Sequence, residues 1–130
     1  MSQNSYKDLI AWRKAMELVA MVYDASERFP SHEQFGLTSQ LRRAAVSVPS
    51  NIAEGHARLT TGEFRQFLGY ALGSLTEIET QIQIAGRLGY LSKLESNKLL
   101  ERSTEIGKVV RGLLQSLSRH AKTGPLTSSL

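Results

Sequence analysis

Residues 60–88, TTGEFRQFLGYALGSLTEIETQIQIAGRL, hold the strongest structural pattern in the sequence. Apolar residues recur there at alternating steps of four and three: Phe64, Leu68, Ala71, Leu75, Ile78, Ile82 and Ala85. Residues at these steps share one face of an α-helix, so the spacing predicts a long amphipathic helix, the third of the chain. Thr60 and Glu63 form a capping box at its start, and Gly89 is the expected left-handed C-terminal cap. At about 1.5 Å per residue, the helix is roughly 40 Å long.

Two helices are predicted before this one. The first ends at Pro30, and its apolar stripe consists of Leu9, Trp12, Met16, Val19 and Tyr23. The second opens with a capping-box pair, Ser31 and Gln34, and ends at Gly55. Its apolar positions are Leu37, Leu41, Ala44 or Ala45, Val48 and Ile52.

Pro49 lies near the end of the second helix. Proline has no amide hydrogen, and it disfavours a helical conformation at the preceding residue, here Val48. We therefore expect a kink or a short break at Pro49, with Ser50 or Asn51 capping the last turn again.

A fourth helix is predicted to begin at the capping-box pair Ser92 and Glu95 and to end near His120. Its inward-facing residues are Leu99, Ile106, Val110, Leu113 and Leu117. Short loops force consecutive helices to run in opposite directions, so the sequence predicts an all-α, antiparallel up-down-up-down four-helix bundle. We assign the bundle domain to residues 1–121 and expect residues 122–130 to form a flexible C-terminal tail.

The composition limits the class of protein. The chain has 130 residues, of which 41% are hydrophobic and 22% charged, values typical of one globular domain. The absence of cysteine excludes disulfides, a thiolate nucleophile and Cys-based metal sites. No apolar run has the length of a membrane span, and the N-terminal residues lack the apolar stretch of a signal peptide. We therefore expect a cytoplasmic protein that does not bind membranes.

No group of residues in the sequence points to catalysis, a metal or a cofactor. No glutamate is followed three residues later by histidine, the spacing found in carboxylate-bridged metal bundles. His32, His56 and His120 lie far apart, in predicted loops or at helix ends, where we expect them to be solvent-exposed. Ion pairs are expected to join Arg13 to Glu17, Asp24 to Arg28, and Glu54 to Arg58 or Arg65. We predict a non-enzyme with no catalytic residue, metal or cofactor.

The positive charge is concentrated near the C-terminus. The net charge is +4, and residues 1–105 contain equal numbers of basic and acidic side chains. The surplus is Lys108, Arg111, Arg119 and Lys122, which project within about 60° of Lys108 on a helix. This basic stripe can bind phosphates; alternatively, the four cations only stabilise the helix by opposing its dipole.

A second basic group is diluted by nearby acids. It consists of Arg42, Arg43, Arg58 and Arg65. No aromatic residues interleave with the basic groups, which argues against a stacking platform for single-stranded nucleic acid.

The third helix has more small and apolar residues than one core face requires. The candidates for a second packed face are Phe67, Gly69, Tyr70 and Gly73. A glycine inside a helix costs about 1 kcal/mol relative to alanine, so Gly69 and Gly73 indicate that another helix packs closely against them. That helix belongs either to the same chain or to a second subunit.

Three strings of the sequence resemble a known family. They are YKDLIAWRKAMEL at residues 6–18, QFGLTSQLRRAAVSVPSNIAEG at residues 34–55, and the pattern FxxFLxxALGSLxExETQ at residues 64–81. They are similar to the bacterial four-helix bundle proteins encoded in intervening sequences of 23S ribosomal RNA genes. The resemblance implies a bundle that assembles as a homopentamer, with the third-helix candidates at the subunit interface.

A related branch of that family is the accessory protein of diversity-generating retroelements, a basic pentamer that binds a reverse transcriptase and nucleic acid. The resemblance therefore implies RNA or DNA and a reverse transcriptase as partners, and it brings no catalytic residue. Our hypothesis is a non-enzymatic, homo-oligomeric accessory or scaffold protein that binds nucleic acid or a nucleoprotein partner through its basic surfaces. The alternative is a protein-protein interaction scaffold with incidental charge and no nucleic-acid binding.

Overall fold

The computed structural model describes residues 5–123, with side chains through residue 118. Its helices are α1 (Ile10–Ser26), α2 (Leu37–His56), α3 (Thr61–Arg87) and α4 (Lys93–Thr123), with short 3-10 turns at Tyr6–Asp8 and Ser31–Glu33. Both α1 and α3 pack against α2 and α4, and the four helices enclose one hydrophobic core. The predicted all-α four-helix bundle is confirmed. No helix within the described residues combines the length and apolar character needed to cross a membrane.

The predicted capping box forms in full at the start of α4 and in part at the start of α3. The Thr60 hydroxyl accepts a hydrogen bond from the Glu63 backbone amide at 3.1 Å. At α4, the Glu95 amide donates to the Ser92 hydroxyl at 3.1 Å, and the Ser92 amide donates to the Glu95 carboxylate at 2.8 Å. At α3 the Glu63 carboxylate accepts the Thr60 hydroxyl and not the Thr60 amide, so these side chains satisfy one backbone amide at α3 and two at α4.

The end of α3 is also as predicted. Gly89 adopts a φ of 80°, a conformation that glycine reaches without steric cost. The Tyr90 amide then donates to the Ala85 carbonyl at 2.9 Å, which closes the last turn. The end of α4 differs slightly from the prediction, because the helix continues to Thr123 and not to about His120. The remainder of the predicted tail lies outside the described residues.

The buried stripe of α1 differs from the predicted one. Its core residues are Ala11, Ala15, Leu18, Val22 and Ala25. Met16 and Tyr23, which we had expected to be buried, are 45% and 42% exposed. The prediction was wrong because it favoured bulky side chains, whereas short alanine side chains let α1 pack closely on its neighbours.

The prediction of two ion pairs inside α1 is also wrong. Arg28 instead pairs with Glu95 of α4, and Glu17 pairs with Arg102 of α4. Glu17 of α1 pairs with the later α4 residue, Arg102, whereas Arg28, just after α1, pairs with the earlier one, Glu95. This order is the one expected between antiparallel neighbours. Three charged residues in the first half of α4, Glu95, Arg102 and Glu105, therefore pair with residues of α1 or of the turn that follows it.

The first turn of α2 is capped by an unexpected residue. The predicted capping box of Ser31 and Gln34 does not form, and α2 begins later, at Leu37. Glu33 accepts the Leu37 backbone amide at 3.0 Å and the Tyr90 hydroxyl at 2.9 Å. These hydrogen bonds, the one from the Leu37 amide first, hold the pKa of Glu33 below its ordinary value of 4.5.

The helix α2 continues through Pro49 without a break. The Ser50 hydroxyl donates to the Val46 carbonyl, and the Asn51 amide donates to the Ser47 carbonyl, both at 2.8 Å. Side chains around the proline therefore bond to backbone carbonyls of the preceding turn. The predicted break with a second cap does not form, and the kink remains a prediction.

The helices α2 and α3 approach each other closely at Gly55. A Cβ atom on Gly55 would lie 2.6 Å from the Phe67 Cβ and 3.1 Å from the Phe64 Cδ1. Gly55 does not have a positive φ, so lack of space, and not backbone conformation, requires glycine here.

Replacing Gly55 with alanine should destabilise the bundle. Overpacking costs about 1–3 kcal/mol and here exceeds the roughly 1 kcal/mol that alanine gains in helix propensity. We expect a net loss of about 1 kcal/mol in the free energy of unfolding, measured by urea denaturation. The control is Gly112→Ala in α4, where an added Cβ meets nothing within 4 Å. Equal stability of Gly55→Ala and the wild type would contradict this account of the contact.

Candidate nucleic-acid interface

The guanidinium group of Arg42 is used to join α2 to α1. Its Nε donates to the Ser26 hydroxyl at 2.8 Å, and its Nη2 donates to the Tyr23 carbonyl at 3.4 Å. The guanidinium carbon also lies 4.6 Å from the centre of the Tyr23 ring, within cation–π range. Arg42 was predicted to contact nucleic acid, but its donors are engaged within the chain.

Two further predicted contacts are also engaged within the chain. Arg58 pairs with Glu54 at 3.0 Å, as expected from the sequence, and lies 4.7 Å from the centre of the Phe67 ring. Arg65 of α3 donates to the Leu114 carbonyl of α4 at 2.9 Å. Hydrogen bonds of this kind position helices and reduce the donors available to an external phosphate.

The other described basic candidates are Arg43, Lys108 and Arg111. All three are exposed, and no ion pair or hydrogen bond links them to another residue within the described part of the chain. Lys108 and Arg111 lie one turn apart on the second half of α4, whereas Arg43 lies on α2. Arg119 and Lys122 also belong to α4, but their side chains lie outside the described residues. The structure therefore separates Arg43 from the α4 pair.

Within residues 5–118, no other helix covers the outward surface of α3 at Gly69 and Gly73. An added Cβ at Gly69 or Gly73 would meet nothing within 4 Å. The first alternative for these glycines, close packing by a helix of the same chain, is therefore wrong. Tyr70 is 49% exposed and packs edge-on against the half-buried Phe67, with ring centres 5.4 Å apart. We call the exposed residues Gln66, Gly69, Gly73, Thr76 and Thr80 the outer face of α3.

The histidines and carboxylates do not come together as a catalytic or metal site. Within residues 5–118, no group of three or more His, Asp or Glu side chains is placed to hold a metal ion. His32 is exposed, and His56 packs edge-on against Phe64 with ring centres 5.6 Å apart. The side chain of His120 lies outside the described residues. Glu79 accepts a hydrogen bond from the Ser103 hydroxyl at 3.1 Å.

A groove between α2 and α3 was missed by the sequence reasoning. It encloses about 530 Å³, and its lining includes Phe35, Ser39, Gln40, Arg43, Ser74 and Glu77. Phe35 is 91% exposed and lies in the turn before α2. The prediction that no aromatic accompanies the basic groups is therefore wrong for Arg43. The available clue was that Phe35 does not fit the apolar spacing of α2.

The sequence matches the family described as 23S rRNA-intervening sequence protein over residues 7–112. The chain belongs to this family. The matched range includes α1, α2, α3 and most of α4, and it ends just after Arg111. It therefore contains the groove and the outer face of α3, and it excludes Arg119 and Lys122.

The fold of this 23S rRNA-intervening sequence protein is also found among solved structures. It is similar to the crystal structure of a protein of unknown function from the S23 ribosomal protein family of Bacteroides thetaiotaomicron VPI-5482. The TM-score is 0.76 at 21% identity, and the match covers 81% of this chain and 98% of that chain. At this identity the similarity shows the shared fold alone. No curated protein matches the sequence.

The neighbouring arginines of this family member provide a matched pair of variants. Arg42→Ala should lower the free energy of unfolding by about 1–2 kcal/mol, because it removes the contacts with Ser26 and Tyr23. Arg43→Ala should change it by less than about 0.5 kcal/mol, because Arg43 is exposed and has no partner in the described residues. Urea denaturation measures both values. Equal effects of the two substitutions would contradict the structural role assigned to Arg42.

Proposed function

We propose that this chain is a non-enzymatic, homo-oligomeric helical bundle that binds nucleic acid through the second half of α4. The supporting observation is that the two halves of this helix differ in their acidic residues and in the ion pairs that these form. In its first half, Glu95 pairs with Arg28 and Glu105 pairs with Lys14. Beyond Glu105 the sequence contains no acid, so Arg111 has no acidic residue within one turn of the helix, and Lys108 has only Glu105, which already pairs with Lys14.

The expected ligand contact is with the phosphate backbone. Lys108 and Arg111 are exposed and have no ionic partner among the described residues, so binding a phosphate does not require an internal ion pair to break. Each phosphate that the protein neutralises releases counterions, which makes such binding salt-dependent and largely independent of sequence. The same surface suits the nucleic acid of a nucleoprotein partner, including one that contains a reverse transcriptase.

Reversing the charge of this surface should weaken binding. The test variant is Lys108→Glu with Arg111→Glu, and the control is Lys93→Glu with Lys98→Glu in the first half of the same helix. The two variants change the net charge equally. Fluorescence anisotropy with a labelled duplex should show at least a tenfold loss for the test variant and a salt slope lower by about 2, because two phosphate contacts are lost.

The control variant should lose much less affinity. Equal losses for both variants would mean that net charge alone attracts nucleic acid, and the assignment of the α4 surface would be wrong. Absence of binding by the wild type at low salt would contradict the proposed function itself. Capture of a protein partner that persists after nuclease treatment and at high salt would then favour the interaction scaffold.

The proposed oligomer rests on a different observation, the outer face of α3. Glycine at positions 69 and 73 destabilises an isolated helix, and no residue that the structure describes comes within 4 Å of a Cβ added at either position. Glycine allows two helix backbones to approach closely, so a helix of a second subunit gives these residues a role that the chain alone does not. The exposed ring of Tyr70 extends this surface.

Alanine at both glycines should weaken the assembly. In a monomer, Gly69→Ala with Gly73→Ala should stabilise the helix by about 0.4–1 kcal/mol per site. At a closely packed interface, the added methyl groups instead separate the helices. Light scattering should show a multiple of the 14.4 kDa chain for the wild type and a smaller mass for the double variant. Gly112→Ala in α4 should retain the wild-type mass, and an unchanged mass for the double variant would contradict this interface.

A further inference from the structure

We infer that the groove between α2 and α3 binds one unpaired nucleotide of a single-stranded nucleic acid, with the base stacked on Phe35 and the phosphate paired with Arg43. The inference rests on the proposed nucleic-acid binding, but it uses other residues and a different kind of contact. It adds a stacking subsite to the ionic surface of α4 and gives a single strand a contact that the interior of a duplex does not make.

The first argument is the position of the Phe35 ring. Burial of a phenylalanine side chain contributes about 1.5–3 kcal/mol to stability, yet this ring is 91% exposed at the edge of the groove. The turn that holds it is ordered by hydrogen bonds. The Gly36 amide donates to the Glu33 carbonyl at 2.9 Å, and the Glu33 carboxylate accepts the Leu37 amide at 3.0 Å. The ordered backbone of this turn therefore directs the Phe35 side chain toward solvent.

The second argument is the contrast between Arg42 and Arg43. Arg42 is held against α1 by Ser26 and Tyr23. Arg43 is exposed, lines the groove with Phe35, and has no ion pair or hydrogen bond with any residue that the structure describes. An arginine can form two parallel hydrogen bonds with a phosphate, and here its donors are available for that.

The third argument is the lining of the groove. Ser39, Gln40 and Glu77 provide hydrogen-bond donors and acceptors. Such groups suit the polar edge of a base, and they do not suit an apolar peptide. The volume of about 530 Å³ falls within the range of about 300–1,000 Å³ that is usual for sites of small organic groups.

These features favour a single strand over a duplex. A base inside a duplex can stack on an exposed aromatic ring only when it leaves its own base stack, so the interior of a duplex is a poor ligand for this subsite. Stacking accepts any base, because every base has a π-face. The subsite should therefore prefer a single strand to a duplex, and it should show no preference among base sequences.

The test measures binding of a short fluorescein-labelled oligoadenylate and of a labelled duplex by fluorescence anisotropy. Phe35→Ala should weaken single-strand binding about tenfold, the usual effect of losing one base–aromatic stack. Duplex binding and the salt slope should not change, because no charge is removed. Leu59→Ala is the matched control, since Leu59 is apolar, 97% exposed and outside the groove lining. Phe35→Trp should restore single-strand affinity.

Each other outcome has a distinct meaning. If Phe35→Ala binds the single strand as tightly as the wild type does, the subsite is overturned, while the α4 proposal stands or falls on its own variants. If the wild type binds neither probe, the proposed function fails, and this inference fails with it. If Phe35→Ala lowers the mass measured by light scattering, the ring belongs to a subunit contact, and the nucleotide subsite is again overturned. RNA and DNA versions of the probe should both respond to Phe35→Ala.

Discussion

The close contact of α2 with α3 at Gly55 is the constraint on which much of the surface depends. Because Gly55 has no side chain, Phe67 can pack directly against the α2 backbone, and Arg58 then lies over the Phe67 ring. Further along the same interface, the Ser47 and Ser74 hydroxyls form a hydrogen bond at 2.5 Å below the groove. With α2 fixed on one side and α4 on the other, the outer face of α3 has no partner among the residues that the structure describes.

Five of the basic side chains fall into two groups, those that form hydrogen bonds between helices and those that are exposed without such contacts. Arg42 and Arg65 link neighbouring helices through hydrogen bonds, so their main contribution is to the geometry of the bundle. Arg43, Lys108 and Arg111 are exposed and have no such contacts within the described residues. Adjacent positions on a helix point about 100° apart, which is why Arg42 and Arg43 belong to different groups. Charge count alone therefore overstates the surface available to nucleic acid.

The sequence predicted those features that depend on local interactions. The long helix α3, the Thr60 cap at its start, the capping box of α4 and the cap at Gly89 follow from residues close together in the chain. The features it missed depend on contacts between distant residues. Glu33 caps α2 while it also bonds Tyr90, more than fifty positions away, and spacing rules contain no such information. Similarly, the exposure of Met16 follows from the close packing of α1 through its alanines, and that of Phe35 from the turn before α2, and neither follows from the hydrophobicity of the residue.

The central claim is that the chain leaves two surfaces for partners, the outer face of α3 for its own copies and cationic side chains for nucleic acid. The most direct test is the mass of the purified protein by light scattering at low and high salt, with absorbance of the same fractions at nucleic-acid and protein wavelengths. The account predicts an assembly of several 14.4 kDa chains that carries nucleic acid at low salt and releases it at high salt without losing subunits. A monomer free of nucleic acid at both salt concentrations would contradict it.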